Sequence, residues 1–149
     1  MEALLTAIVT WLSINFGLPA DYDHPAVLLA PPADILELRY PDAPEKAQDD
    51  PSAPNESKSS VLAVYDDRKR AILLQKSWQG VTPAELSVLV HEMVHHLQAR
   101  AGTIFACAAE RERLAYAAQE KWLSQFGRSL DGEFAIDAMT LLVRTTCAL

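Results

Sequence analysis

From Thr82 to Gln98 the chain reads T-P-A-E-L-S-V-L-V-H-E-M-V-H-H-L-Q, and no other stretch limits the fold as tightly. Thr82 is a good helix N-cap, Pro83 suits the first helical position, and Glu85 completes a T-x-x-E capping box. Gly102 supplies a stop signal. These marks predict one helix from Pro83 to about Ala101. On it, His91 and His95 stand at i and i+4, one above the other, so two imidazoles can face one metal ion. Glu92 sits about 100° further round the helix, beside that ion rather than on it. A base is needed there to take a proton from water activated by the metal. The apolar residues around the motif predict burial. The plainer alternative is a pair of histidines hydrogen-bonded inside a core helix.

A hydrolytic zinc site takes three protein ligands and keeps a fourth position open for water. The extended pattern H-E-x-x-H-x-x-G-x-x-H fails here, because positions 98 and 101 are Gln98 and Ala101. The other common solution is a glutamate on the following helix, where the chain offers Glu110, Glu112 and Glu120. Glu112 is the favoured ligand. Together with Ala115, Tyr116 and Gln119 it falls on one face at i, i+3, i+4 and i+7, and the small Ala115 allows close approach to the motif helix. Glu110 and Glu120 read as solvent-side charges, the usual fate of a carboxylate.

With 149 residues, half of them apolar, the chain has the size and composition of a single globular domain. Its net charge of -7 and lack of a Lys/Arg cluster argue against nucleic acid as a partner. The first apolar stretch, residues 3–20, is marginal for spanning a bilayer and follows Glu2 rather than positive charge. It reads as a helix from about Glu2 to Phe16, ended by Gly17 and Pro19. Cys107 and Cys147 belong to no C-x-x-C motif. They suit one disulfide in an exported chain or two buried thiols in a cytosolic one.

Between these points, Val27 to Leu29 reads as a short strand and Ile35 to Tyr40 as a short helix started by Pro or Asp. Residues 41–60 hold four prolines and many polar side chains but no large apolar one, which predicts a mobile loop within the domain. Val61 to Tyr65 and Ala71 to Leu74 flank a polar turn and predict a hairpin. A second long helix is expected from Phe105 or Ala106 to Phe126, and a last one from Phe134 to Leu142. The expected class is therefore α+β, mainly α: a motif helix, a glutamate-bearing helix and a short hairpin or sheet.

An H-E-x-x-H helix followed by a helix bearing E-x-x-A resembles the gluzincin branch of zinc peptidases. The segment 61–126 is most similar to a bacterial family of small metallopeptidase-like proteins with a minimal gluzincin core. The resemblance implies a zincin-like domain binding one Zn2+ per chain, with His91, His95 and Glu112 as ligands and Glu92 as general base. It implies hydrolysis of a peptide or protein substrate, and a hairpin edge strand along the substrate cleft. Such enzymes usually add a Tyr or His that supports the oxyanion; Tyr116, Tyr65, His96 and Arg144 all remain open for that role.

Other residues have plainer readings. His96 suits helix packing better than substrate contact. Gln98 returns to the ligand face and could orient a ligand, as could Asp137 if buried. Trp11, Trp78 and Trp122 read as core aromatics, and nothing near Cys107 suggests an activated nucleophile. Two rival functions stand beside the hydrolase. One is a catalytically silent zinc-binding sensor or regulatory module; the other is a helical structural domain without metal. An intact Glu92 favours the enzyme over the first.

Overall fold

The structure is a computed structural model that describes residues 1–41 and 62–148. Its elements run α1 (Glu2–Phe16), β1 (Ala26–Ala30), α2 (Pro32–Arg39), β2 (Ala63–Asp66), β3 (Ala71–Gln75), α3 (Pro83–Arg100), α4 (Ala108–Ser124), α5 (Leu130–Phe134) and α6 (Ala138–Thr145). This is the α+β, mainly helical class that the sequence leads one to expect. The loop expected at 41–60 falls almost wholly outside the described residues.

β3 is the centre of a three-stranded sheet ordered β1-β3-β2. It pairs antiparallel with β2, as a hairpin should, and parallel with β1, with Ala26 opposite Ala71 and Leu28 opposite Leu73. Successive side chains on a strand face opposite ways, and β3 uses both faces. Ile72 and Leu74 enter the main core with α1 and α3, whereas Leu73 joins Ile35, Leu62 and Ala30 in a smaller cluster beneath α2. The sheet is thus a middle layer, with α2 on one side and the long helices on the other.

α3 is the hub of the helical side. Every residue from Ser87 to Gln98 is buried. Leu89, Val90, Met93, Val94 and Leu97 meet Leu5, Ile8 and Leu12 of α1, Ile72 and Leu74 of the sheet, and Ala115 and Ala118 of α4 in one cluster. Each large apolar side chain so buried stabilises the fold by about 1.5–3 kcal/mol.

The start of α3 is held more firmly than a capping box alone would hold it. Glu85 N–H donates to Thr82 Oγ1 (3.1 Å), and Glu85 Oε1 accepts from Thr82 N–H (3.3 Å). The second oxygen of Glu85 accepts from Gln79 N–H (2.6 Å), and Trp78 Nε1–H donates to Glu85 O (2.9 Å). The strand-to-helix turn therefore folds onto the first turn of α3. Gly80 makes this possible: its φ is +69°, and a Cβ there would lie 2.5 Å from the Trp78 ring.

The C-terminal third differs from the sequence expectation. α4 begins at Ala108 rather than at Phe105 or Ala106, because Cys107 is extended and acts as the N-cap residue. The single last helix expected over Phe134 to Leu142 is instead two helices. Ser129 caps α5 through Gly132 N–H, Asp137 caps α6 through Thr140 N–H, and Ala135 breaks the chain between them at φ +55°. Cys107 and Cys147 are joined as a disulfide that ties the start of α4 to the end of the chain beyond α6. Among the described residues, no helix is long and apolar enough to cross a membrane.

Two outcomes test the account of the α3 start. Gly80→Ala should cost on the order of 1–3 kcal/mol, through backbone strain and displacement of Trp78, and should lower the denaturant midpoint without changing the slope. The second concerns acid. Burial works against ionisation of Glu85, but hydrogen bonds from Gln79, Thr82 and Val81 outweigh it and hold its carboxyl below the ordinary value. A depressed folded-state pKa gives stability that is present above the unfolded value and fades as pH falls through the folded one. The stability gap between the native chain and Glu85→Gln should therefore be full above about pH 5 and shrink steadily below about pH 4 in denaturation curves.

Candidate metal centre

His91 and His95 lie on successive turns of α3, where that helix meets α4. Their ring centroids are 4.9 Å apart, and their Nε2 atoms are 3.2 Å apart. Glu112 reaches them from α4, with Oε2 2.9 Å from His91 Nε2 and 3.2 Å from His95 Nε2. One ligand atom from each of the three side chains falls within 4.8 Å of the other two. The sequence singled out these three residues, and the fold brings them together.

The outer ring nitrogens show what the inner ones can do. His91 Nδ1 lies 2.9 Å from Gln119 Oε1. The Gln119 amide donates through Nε2–H to Ser87 Oγ (3.2 Å), whose hydroxyl donates to Ala84 O (2.7 Å). His95 Nδ1 lies 3.0 Å from Gln98 Oε1, and Gln98 Nε2–H donates to the Arg111 carbonyl (3.2 Å). In both cases the amide NH2 is committed elsewhere, so the carbonyl oxygen faces the ring and Nδ1–H must donate to it. A neutral imidazole has one donor and one acceptor nitrogen. Each Nε2 therefore faces Glu112 as a lone pair when its ring is neutral, and as a donor to the carboxylate when the ring is protonated. Two nitrogen lone pairs and a carboxylate oxygen converging on one point form an arrangement that a cation completes, and the hydrogen bonds behind the rings orient them for it. The residues present fit a zinc ion by donor type and number.

The electrostatics agree with this strain toward positive charge. Burial opposes ionisation of Glu112, but hydrogen bonds from His91 and His95 dominate and hold its carboxyl far below the usual carboxylate range. Burial likewise opposes a charge on His95, yet the hydrogen bond to Glu112 and the nearby charge of Glu92 raise its pKa.

Glu92 is buried as a residue, but among the described residues nothing hydrogen-bonds its carboxylate. Among the described residues, the one buried side-chain polar atom left without either a partner or solvent is Trp122 Nε1, so the Glu92 oxygens reach open space. The charge of Glu92 contributes to raising the pKa of His95.

A model for a family described as a domain of unknown function (DUF6647) matches residues 1–149, the whole chain. The chain belongs to the DUF6647 family. No curated protein and no solved structure matches it.

Within this DUF6647 chain the four oxyanion-support candidates separate into two pairs. His96 accepts at Nδ1 from Tyr65 (3.1 Å) and donates from Nε2 to Asp23 O (2.8 Å), so both residues are occupied in joining α3 to β2 and to the loop before β1. Burial lowers the pKa of His96, consistent with this neutral packing role. Tyr116 stands at the centre instead: its ring lies edge-on 4.6 Å from the His91 ring, and its hydroxyl accepts from Arg144 (3.1 Å). Glu110 and Glu120 are engaged with backbone N–H groups, of Ala106 and Leu130 respectively. Asp137 does not orient a ligand: it is exposed and caps α6. The apolar residues around it form a helix face left partly in solvent, with Met139, Leu142 and Val143 all exposed. Gln98 does hold His95, through its oxygen. The part played by Gln119 escaped the sequence reading, although its place seven residues after Glu112 put it on the correct face.

Replacing either glutamine with alanine should leave the fold intact but free one imidazole to rotate or change tautomer. Zinc affinity measured by competition with a chelator should fall by about 10–100-fold for Gln119→Ala and for Gln98→Ala. Gln79→Ala, at the other end of α3, should leave it unchanged.

Proposed function

We propose that this chain is a zinc-dependent peptide-bond hydrolase, with His91, His95 and Glu112 holding the ion and Glu92 acting as general base. One observation carries the reading. The Glu92 carboxylate, next in sequence to a ligand histidine, is the polar group of the buried α3 stretch that hydrogen-bonds nothing, while its neighbours are all paired. Its oxygens are open to solvent rather than tied to the protein, as a carboxylate that must meet a water molecule has to be. A silent metal site would have no use for a free carboxylate beside it.

A zinc ion in such a site supplies Lewis acidity and brings the pKa of a water molecule down to about 7. The chain's own residues supply the rest. Glu92 takes the proton from the attacking water and delivers it to the departing amine, which needs an unpaired carboxylate within reach of both. Gln119 and Gln98 keep the imidazoles from turning. Tyr116, with its hydroxyl oriented by Arg144, is the residue placed to donate a hydrogen bond to the carbonyl oxygen as negative charge develops there. Burial raises the Tyr116 pKa even against the nearby Arg144, so its hydroxyl keeps its proton. The peptide bond as target rests on the resemblance of the H-E-x-x-H and E-x-x-A helices to gluzincins.

Purified protein should carry about one zinc per chain by elemental analysis. Glu92→Gln should keep that zinc and lose hydrolysis of a mixed peptide library by at least about 100-fold; undiminished cleavage would sink the mechanism. Glu112→Ala should lose zinc, whereas a loss on Glu110→Ala instead would show that the third ligand has been misassigned.

A further inference from the structure

A glutamine amide has nearly the same shape whether its oxygen or its NH2 group points forward, but the two ends do opposite things to a histidine. With the Gln119 oxygen toward His91 (2.9 Å), Nδ1 carries the ring proton and donates it, and Nε2 is left to face Glu112. With the NH2 group forward, Nδ1 would have to accept. In a neutral ring the proton would then sit on Nε2, the nitrogen that a metal ion needs. The direction of this one amide decides whether His91 can be a ligand.

Gln98 settles the same question for His95 with a backbone group. Its NH2 meets the Arg111 carbonyl, which can only accept. The NH2 of Gln119 meets a side chain instead, the Ser87 hydroxyl, at 3.2 Å. A hydroxyl can donate as well as accept, so it does not by itself choose an amide end. Ser87 is made to choose by its own proton, which goes to the Ala84 carbonyl (2.7 Å) on the same helix. Only lone pairs then face Gln119, and only an NH2 group can meet them. Ser87 is fully buried, and Gln119 and His91 are buried with it, so bulk water offers no substitute partner. Alanine would suit the interior of α3 better by helix propensity, yet a hydroxyl stands here, one turn before His91.

We propose that Ser87 is a positioning residue of the metal centre: it sets the direction of the Gln119 amide and so keeps the His91 proton on Nδ1, leaving Nε2 for the ion. The inference rests on the metal-binding part of the reading above and not on turnover.

Two readouts test it. The first is the proton on His91 Nδ1, followed by NMR of protein labelled with 15N at histidine, both metal-free and zinc-loaded. The native chain should show hydrogen-bonded Nδ1–H signals from His91 and His95. Ser87→Ala should weaken or abolish the His91 signal and leave that of His95, whose glutamine is held by a backbone carbonyl; the surviving signal reports that the fold is intact. The second is zinc affinity by competition with a chelator. Ser87→Ala should lower it about 5–10-fold, no more than Gln119→Ala does. Gln119→Glu then separates positioning from packing. An ionised carboxylate has no donor end and offers oxygen to His91 whichever way it turns. In that background, adding Ser87→Ala should change zinc affinity by less than about twofold. An equal loss in both backgrounds overturns the inference, because Ser87 would then act through packing alone. So does a His91 Nδ1–H signal that Ser87→Ala leaves unchanged. A native chain that binds no zinc but whose His91 signal depends on Ser87 would refute the metal centre and keep the control of His91 by Ser87. Zinc binding indifferent to Ser87 would do the reverse.

Discussion

The stretch of α3 from Ser87 to Gln98 is buried on all sides, and half of it is polar: Ser87, His91, Glu92, His95, His96 and Gln98. Polar groups removed from water must find partners or the fold loses stability. That demand decides much of what surrounds the helix. Gln119 comes from α4 to His91, the Arg111 carbonyl fixes Gln98, and Tyr65 from β2 and the Asp23 carbonyl together satisfy His96. The apolar half of the same stretch does ordinary work, packing against α1 and the sheet. One helix is therefore both the centre of the hydrophobic core and the support of the candidate metal centre. A disturbance to either is felt by the other.

Proximity between α3 and α4 carries the second part of the architecture. Ala115 and Ala118 are fully buried where the two helices meet. Small side chains there let the backbones approach, so that Glu112 and Gln119, one turn before and one turn after Ala115, both reach the histidines. The far side of α4 is braced by α6, through the Cys107–Cys147 bridge, the Arg113 contact to Thr145 O and the Arg144 contact to Tyr116. In chain-entropy terms a bridge closing a loop of this size contributes roughly 4 kcal/mol. It acts at the end of α4 that bears Glu112, which couples the C-terminal segment to the placement of that carboxylate.

The parts of this arrangement that could be read from sequence are those governed by local rules. A capping box, a proline at the first helical position and a closing glycine are short-range chemistry, and α3 begins and ends where they say. The i, i+4 histidines and the helical face of Glu112 follow from helix geometry alone. The failures share a cause as well. Asp137 and its apolar neighbours look like a buried segment, and only the tertiary structure shows that the segment is broken at Ala135 and that one face of α6 stays in solvent. Tyr65 sits 31 positions before His96 in the chain, and nothing local to either residue signals the hydrogen bond between them. The pairing of the two cysteines, left open by composition, follows from α6 folding back along α4.

Two glutamates at this centre show how environment divides one functional group into two roles. Glu112 faces both imidazoles, and the hydrogen bonds it accepts when they are protonated keep it charged despite burial. A carboxylate held so firmly in its ionised form is a poor proton carrier, since it has little tendency to accept the proton that a base must take; it is suited to hold a cation. Glu92 is one residue from His91 yet takes part in none of those bonds. Its charge is felt by His95 across space rather than through a hydrogen bond. The helix produces this difference by itself: the turn that stacks His95 over His91 carries Glu92 off their line, out of the hydrogen bonds that Gln119 and Gln98 make to the two rings.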